Sequence, residues 1–347
     1  MKEARHYEPT ADRSVKCRLC PKLCLVREGK TGVCRVRQNL EGKLYSQNYA
    51  RISSYAVDPI EKKPLYHFYP GTRVLSVGTV GCNFTCQFCQ NWTITHDDRA
   101  TTVELTPDQL VYRCQKEQGR DPGCIGIAYT YSEPLVWYEY VTDTAALAKD
   151  HGLKNILVTN GSINPGPLAS LLPLVDAMNI DVKSFDAGYY ARICSGLLEP
   201  VKSTVEEAVR AGVHVEVTTL LVEDLNDDDE EVEALARWLA GLNADLPLHL
   251  SRYFPAFKMD NPPTSVKTMK RAAAIARRHL RYVYLGNVWG AENNSTHCPQ
   301  CGALVLRRHS LTLEENLLVD GHCPECNLRV AVTGGNHEET TCHSPGG

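Results

Sequence analysis

A repeated alternation of apolar runs and helical stretches is the feature that most restricts the fold of this chain. Six short runs rich in β-branched residues predict strands, at 74–79, 125–130, 155–160, 177–182, 213–220 and 248–253, and residues 281–287 could add another. Strands joined through intervening helices pair in parallel, which gives an α/β fold. We therefore expect a partial (β/α)6 barrel. A doubly wound open sheet is the alternative, but no G-x-G-x-x-G fingerprint follows the first run.

Two of the expected helix starts are marked by their residues. Thr106 followed by Pro107 is a typical N-cap and first-turn pair, and Asn226 precedes the acidic run DDDEE, which suits the positive end of a helix. Chemistry in such barrels gathers at the carboxyl ends of the strands. The loops that follow the predicted strands carry most of the polar motifs of this chain.

The composition argues against a partner that is recognised by bulk electrostatics. The 347 residues have a formal net charge of −4, and 43% of them are hydrophobic. Nucleic acid or an anionic membrane would favour a basic surface, so neither is expected as a partner. The sequence has no apolar run long enough to cross a bilayer, and its charged start differs from a signal peptide. We therefore expect a cytoplasmic protein.

Eleven of the fifteen cysteines fall in three groups, which predicts metal sites rather than a disulfide framework. These groups suggest how the chain is divided. We expect a small N-terminal metal module with four cysteines and a linker at 1–65, the barrel at 66–290 and a zinc-ribbon module at 291–332. Residues 333–347 are expected to be a disordered tail.

The central group lies in GCNFTCQFCQNW, directly after the first predicted strand. Cys82, Cys86 and Cys89 have C-x3-C-x2-C spacing, with the aromatic Phe88 before the third. A four-iron cluster held by three thiolates keeps one iron open for a further ligand. The alternatives are a zinc site completed by a histidine, or a degenerate cluster.

A second group precedes the barrel and consists of Cys17, Cys20, Cys24 and Cys34. Its C-x2-C-x3-C-x9-C spacing differs from the bacterial ferredoxin run. A short, loop-rich segment cannot bury enough apolar surface to fold alone, so the four thiols predict a bound metal. Zinc and a second four-iron cluster both suit four thiolates, and an uncoordinated set is the remaining alternative.

The third group follows the barrel and consists of Cys298, Cys301, Cys323 and Cys326. Each pair lies in a Cys-Pro-x-Cys knuckle, and the two knuckles flank a hairpin-like segment. This pattern is typical of a zinc ribbon. Four thiolates close the coordination of zinc, so its role would be structural or that of a docking surface.

The cluster loop resembles that of the radical S-adenosylmethionine (SAM) superfamily. Eight segments resemble, more narrowly, the AmmeMemoRadiSam-system radical SAM enzymes, relatives of the pyruvate formate-lyase activating enzymes; among them are IAYTYSEP, VTNGSINPGPL, NIDVKSF and RYVYLGNV. The resemblance implies a [4Fe-4S] cluster whose open iron binds SAM. Reduction would cleave SAM to a 5′-deoxyadenosyl radical that abstracts hydrogen from a substrate.

The resemblance also implies roles for residues at the strand ends. Glu133 in YSEP matches a glutamate that holds the methionyl amino group of SAM, although Tyr131 and Ser132 replace two glycines of that motif. Asp181 and Lys183 match residues that reach the ribose and the carboxylate of SAM. A carboxylate accepts from ribose hydroxyls and an ammonium pairs with a carboxylate, so the types suit these roles.

Four more residues are candidates for SAM contacts by resemblance: Phe88, Asn160, Thr218 and His249. The last matches a histidine near SAM on the final barrel strand of the activating enzymes. The segment 221–225, LVEDL, departs from the Ile-Pro-Gly turn expected there. Purely structural alternatives are a helix-start role for Glu133, a solvated Lys183 and a core His249.

The remaining cysteines are less informative. Cys194, in RICSGLLEP, could approach the site as a hydrogen donor or substrate anchor, or be a small buried hydrophobe. Cys114, Cys124 and Cys342 have no role that the sequence suggests.

Three functions follow as hypotheses. The first is a radical SAM enzyme acting on an unidentified substrate such as a protein or peptide, with a one-electron reductant such as flavodoxin or ferredoxin. The second is an activase of a glycyl-radical enzyme. The third is a non-catalytic zinc and iron–sulfur protein whose ribbon binds a partner. Family association suggests Memo-like and AMMECR-like proteins as partners.

Overall fold

The computed structural model describes residues 1–97, 99–120, 123–288, 290 and 293–334. The strands are β1 (Lys2–Glu3), β2 (Tyr7–Pro9), β3 (Val15–Cys17), β4 (Leu25–Val26), β5 (Arg37–Leu40), β6 (Lys43–Ser46), β7 (Arg51–Ile52), β8 (Ser54–Pro59), β9 (Arg73–Gly78), β10 (Val103–Glu104), β11 (Cys124–Tyr129), β12 (Lys154–Thr159), β13 (Ala177–Asp181), β14 (His214–Leu221), β15 (Leu248–Arg252), β16 (Val283–Gly286), β17 (Thr296–His297), β18 (Leu304–His309) and β19 (Thr312–Asn316). The α-helices are α1 (Trp92–Thr95), α2 (Pro107–Gln118), α3 (Tyr138–Asp150), α4 (Pro165–Leu171), α5 (Ala187–Tyr189), α6 (Leu198–Arg210), α7 (Asp229–Leu242) and α8 (Val266–Ala276). Short 3-10 turns cover Ile60–Lys62, Pro134–Trp137 and Leu172–Leu174, and a π-helical turn covers Tyr190–Cys194.

An eight-stranded sheet in the order β8-β9-β11-β12-β13-β14-β15-β16 forms the centre of the molecule. The seven strands from β9 to β16 are parallel, and each predicted run coincides with one of them to within about two residues at either end. Within the described residues β8 and β16 do not pair with each other, so the sheet is open at that seam. The α/β architecture with a parallel sheet is confirmed.

The edge strand β8 belongs to the central sheet, although it lies within the 1–65 segment expected to hold the N-terminal module and its linker. It pairs antiparallel with β9 along its whole length. Its sequence, SYAVDP, has no apolar run that would predict a strand. Val15 and Leu19 of the module are buried in the same core as the barrel strands. The module is therefore packed onto the barrel instead of standing apart.

The helix starts agree with both expectations. Thr106 caps α2 in a capping box with Gln109, as its residues predict. The acidic run after Asn226 supplies the first turn of α7, and Asp228 caps this helix by accepting from Glu230 N–H at 2.9 Å. The side chain of Asn226 itself holds the preceding loop. Among the described residues, no helix has the length and apolar character that crossing a membrane requires.

The C-terminal segment packs against the part of the barrel opposite the predicted site. Its hairpin, β18 and β19, lies between the two Cys-Pro-x-Cys knuckles. Arg308 of this hairpin is fully buried and donates to the Tyr66 carbonyl at 2.6 Å, and its Nε lies 3.5 Å from Glu61. Residues 335–347, which include most of the expected disordered tail and Cys342, lie outside the described residues.

Candidate functional site

A cavity of about 430 Å3 opens at the carboxyl ends of the parallel strands. The three cysteines of the central group line it together with most of the predicted contact residues. Those lining residues are Cys82, Cys86, Phe88, Cys89, Glu133, Asn160, Asp181, Lys183 and Thr218. The volume lies in the range of about 300–1,000 Å3 that is usual for small-molecule pockets. Residues more than 130 positions apart thus meet in one place.

The cysteine loop is held from two sides. On one side Gly81 has a positive φ of 93°, and a Cβ there would come within 2.8 Å of the Cys34 carbonyl, so only glycine fits. On the other side Thr85 N–H donates to the Cys194 carbonyl at 3.0 Å, and Gln87 N–H to that of Ile193, also at 3.0 Å. Contacts within the protein therefore fix the loop on both sides.

Polar groups are directed at the sulfur of Cys82. Phe84 N–H donates to this sulfur at 3.4 Å, and the Asn160 amide lies 3.7 Å from it. The same Asn160 amide donates to Asn83 Oδ1 at 2.9 Å, which fixes its orientation. Amide donors next to a cysteine sulfur stabilise its thiolate, the form that binds iron.

Glu133 is fully buried at the edge of the cavity. Its carboxylate accepts from Leu135 N–H at 2.9 Å, Thr159 Oγ1 at 2.6 Å and Asn160 N–H at 2.8 Å. Burial nevertheless raises the pKa of Glu133 to about 7, with these hydrogen bonds opposing the rise. The carboxylate joins the ends of β11 and β12, and Oε2 has acceptor capacity left for a ligand ammonium.

Asp181 and Lys183 form an ion pair of 2.7 Å on the cavity wall. Burial opposes the charged ammonium, but the Asp181 carboxylate outweighs it, so the pKa of Lys183 is raised. Lys183 is therefore charged at neutral pH. Its Nζ also lies 6.0 Å from the centre of the Phe88 ring.

Tyr131 also lines the cavity. The sequence did not predict this position for it. It adopts a positive φ of 69°, the conformation that a glycine would favour at this place. Its hydroxyl donates to Asp58 at 2.7 Å, and Lys63 donates to the same carboxylate at 2.8 Å. Burial opposes ionisation of Asp58, but these donors and Lys62 outweigh it and lower its pKa. Tyr131 thus keeps a backbone conformation that suits glycine and adds a side chain that is held by Asp58.

The 221–225 segment also departs from a glycine turn, and Asn226 stabilises it. The Asn226 side chain accepts from Val222 N–H at 2.7 Å and donates to the Lys183 carbonyl at 2.8 Å. Glu223 accepts a hydrogen bond from Thr268 of α8. The loop thus fixes the backbone next to the Asp181–Lys183 pair.

His249 is not among the residues that line the cavity, which corrects the role expected for it. Its Nε2 lies 2.6 Å from Glu216 on the neighbouring strand, and its ring packs edge-on against Tyr66 at 4.7 Å. Glu216 also accepts from His67 N–H at 2.7 Å. A buried carboxylate two residues before Thr218 thus turns the ring away from the cavity. Thr218 itself reaches the cavity.

We expect Glu216→Gln to lower the free energy of unfolding by about 1–3 kcal/mol, because an amide cannot accept from donors on both oxygens. The donors left without an acceptor would include the Tyr66 or His67 amide, which are buried. Urea unfolding measures the change. Glu314→Gln, on the exposed hairpin, is the control and should shift the free energy by less than about 0.5 kcal/mol. Equal stability of the two variants would contradict this role for Glu216.

The other cysteines separate into two kinds of environment. Cys194 is fully buried. Its thiol contacts Cys86, and this contact raises the pKa of Cys86 more than the burial of Cys86 does. Cys194 does not line the cavity. Cys114 of α2 and Cys124 of β11 lie with their sulfurs 3.7 Å apart in the core.

The C-terminal cysteines are drawn together tightly. Their four sulfurs all lie within 4.8 Å of one another, and two pairs are 3.5 and 3.6 Å apart. A tetrahedral zinc ion with Zn–S bonds of about 2.3 Å needs sulfurs about 3.8 Å apart. The geometry therefore suits a single ion with four thiolates.

Comparison with known proteins connects this site to a superfamily. Residues 76–239 match the family model of the radical SAM superfamily. An uncharacterized protein of Methanocaldococcus jannaschii is 43% identical over 339 residues, which cover 96% of this chain and 99% of that protein. The pyruvate formate-lyase-activating enzyme of Clostridium pasteurianum is 25% identical over 170 residues, 48% of this chain and 69% of that enzyme. Streptococcus suis SuiB bound to S-adenosylmethionine aligns with 62% of this chain and 52% of its own, at 12% identity and a TM-score of 0.47.

Proposed function

We propose that this chain, in which residues 76–239 match the radical SAM superfamily, is an enzyme that cleaves SAM reductively at a four-iron cluster held by Cys82, Cys86 and Cys89. The convergence of these thiols with Glu133 and the Asp181–Lys183 pair in one cavity carries the proposal. When bound, the cluster supplies an electron to SAM and its open iron holds the amino acid end of SAM.

The residues around the cavity suit the separate parts of SAM. The Lys183 ammonium would pair with the SAM carboxylate, and the Glu133 carboxylate would accept from the SAM ammonium. Asp181 would accept from the ribose hydroxyls. Asn160 and Phe84 N–H are placed to stabilise the sulfur of Cys82. These residues bind and orient, which leaves the chemistry to the cluster and SAM.

The direct test is product formation. Protein reconstituted anaerobically with iron and sulfide should form 5′-deoxyadenosine and methionine from SAM when dithionite is added, as chromatography would measure. Reconstituted protein that holds iron yet neither binds SAM nor forms these products would refute the proposal. It would favour instead a non-catalytic protein whose ribbon binds a partner.

Lys183→Met should weaken SAM binding about 10- to 100-fold, because a hydrogen bond to a charged group contributes about 1.5–3 kcal/mol. Equilibrium dialysis with labelled SAM measures the affinity on reconstituted protein. Lys267→Met, which removes an exposed lysine from α8, is the matched control and should bind as the parent does. Equal affinities for the two variants would remove Lys183 from the SAM site.

A second candidate is activation of a glycyl-radical enzyme. It is supported by the relative named as a pyruvate formate-lyase-activating enzyme. Incubation of the reconstituted protein with pyruvate formate-lyase, SAM and reductant would give a glycyl radical detectable by electron paramagnetic resonance (EPR). SAM cleavage without this radical would favour another substrate.

The C-terminal cysteines are proposed to bind one structural zinc ion. Their sulfur spacing supports it, as does the burial of Cys298 and Cys323 beside Tyr66, Tyr282 and Tyr284 of the barrel. A closed four-thiolate site is inert to redox chemistry. Its role would be to hold the hairpin against the barrel.

A further inference from the structure

The four N-terminal cysteines surround a second cavity. It is distinct from the cavity at the carboxyl ends of the parallel strands, where SAM is proposed to bind. Its walls are otherwise mainly apolar, and a single charged residue, Arg37, contributes to them. The lining residues are Cys17, Leu19, Cys20, Cys24, Gly32, Val33, Cys34, Arg37 and Val136. Three of the four cysteines are buried, and Cys24 is partly exposed. Four thiols facing one enclosed space form a complete ligand set.

The N-terminal sulfurs do not form a compact set like that of the C-terminal cysteines. In the part of the chain that the structure describes, only the ribbon cysteines bring three or more metal-binding atoms within 4.8 Å of one another. A single tetrahedral zinc ion needs separations of about 3.8 Å. In a four-iron cluster each thiolate binds a different iron, so the sulfurs lie farther apart. The sulfurs of the central cysteines, Cys82, Cys86 and Cys89, likewise do not all lie within 4.8 Å of one another.

Arg37 provides an independent sign of a sulfur ligand. Its guanidinium is buried and forms two hydrogen bonds of 2.9 Å with Glu139. A third hydrogen bond runs from Nη2 to the Arg5 carbonyl at 2.8 Å. The Nε–H of Arg37, however, has no hydrogen-bond partner among the described residues, although it is buried. Buried donors without an acceptor are rare, and a thiolate or inorganic sulfide in the cavity would supply one.

The N-terminal cysteines are neighbours of the SAM loop. The Cys34 carbonyl packs against Gly81, the residue before Cys82. The Asn83 side chain is hydrogen-bonded to Asn160, which reaches the Cys82 sulfur, and Asn83 also lies against the Cys20 thiol. One asparagine therefore touches both sets of cysteines.

From these observations we infer that Cys17, Cys20, Cys24 and Cys34 hold a second four-iron cluster, which relays single electrons to the cluster of the SAM loop. One electron enters from an external one-electron reductant such as flavodoxin, reduces the second cluster, and passes to the first. No covalent bond is formed or broken in the relay. The relay rests on the proposed SAM cleavage, whereas the cluster itself does not.

Metal content separates this inference from the zinc alternative. The anaerobically reconstituted parent should contain about eight irons and one zinc per chain, because two four-iron clusters and the ribbon are occupied. A variant with Cys82, Cys86 and Cys89 all replaced by alanine should keep about four irons and give an EPR signal, after reduction, that SAM does not alter. The reciprocal Cys20→Ala/Cys24→Ala variant should keep about four irons. Its EPR signal after reduction should change when SAM is added.

Two outcomes would overturn the inference. Two zinc ions per chain in the parent, with no iron in the triple variant, would give the N-terminal site to zinc. If the reciprocal variant cleaved SAM with reduced flavodoxin as fast as the parent, the relay would be wrong. A parent that holds eight irons but cleaves no SAM would refute the proposed function alone, and a triple variant that fails to fold leaves the parent's zinc count as the deciding measurement.

Discussion

Replacement of Cys82, Cys86 and Cys89 by alanine is expected to abolish formation of 5′-deoxyadenosine and to remove about four irons per chain. In the described part of the chain, these three thiols are the only cysteines that line the cavity at the carboxyl ends of the parallel strands. Without them no thiolate of the described residues remains in the cavity to hold a four-iron cluster beside Glu133 and Lys183, so no slow residual reaction is expected. Product chromatography and iron analysis on reconstituted protein measure both effects.

Two controls make this result specific. Cys114→Ala removes a buried thiol that lies in the core against Cys124, away from the cavity, and should retain SAM cleavage. Cys194→Ala removes the thiol that contacts Cys86, and should also retain cleavage if the loop cysteines suffice as ligands. Undiminished product formation by the triple variant would contradict the assignment of the cluster loop.

The parallel strands and the residues at their ends could be predicted because both depend on local pattern. Apolar runs bounded by polar residues identified six of the seven parallel strands and suggested the seventh, and parallel pairing then brings their carboxyl ends to one edge. Asp181 and Lys183 lie at the end of the same strand, so their meeting needed no knowledge of distant contacts. Thr106 capped its helix for the same local reason.

What the sequence did not predict depends on contacts between distant segments. The edge strand β8, SYAVDP, is too mixed in its residues to be predicted as a strand, and it pairs with β9 along its whole length. The direction of the His249 ring is decided by Glu216, on another strand. Tyr131 adopts a left-handed conformation with its hydroxyl hydrogen-bonded to Asp58, 73 positions away. No periodicity in one segment encodes such a pairing.

The N-terminal module illustrates the same limit on a larger scale. Its cysteine spacing predicted a metal but not which one, and its composition suggested a module separate from the barrel. In the structure Val36 and Cys34 of the module pack on Gly81, which precedes Cys82 in the cysteine loop. The buried pair of Arg37 with Glu139, 102 positions apart, joins it to helix α3. Folding of the module and of the site should therefore be coupled.

Arg37→Met should lower the free energy of unfolding by about 3–5 kcal/mol, the loss usual when one member of a buried ion pair is removed. The side chains of Arg37 and Glu139 are 2% and 0% exposed, so the Glu139 carboxylate would be left buried without its cation. Burial opposes the charge on Arg37, but Glu139 outweighs this and raises its pKa, so the guanidinium is ionised in the folded protein. Anaerobic urea unfolding measures the loss.

The double variant Arg37→Met/Glu139→Leu distinguishes the ion pair from simple packing. With both charges removed no uncompensated carboxylate remains, so the double variant should be more stable than Arg37→Met alone, even though Arg5 N–H loses its acceptor. If the stability lost in the double variant instead equals the sum of the losses in Arg37→Met and in Glu139→Leu, Arg37 acts mainly through contacts other than Glu139. The Nε–H of Arg37 beside the N-terminal cysteines would then be the first group to consider, because both variants remove this donor and with it any hydrogen bond to a sulfur acceptor there.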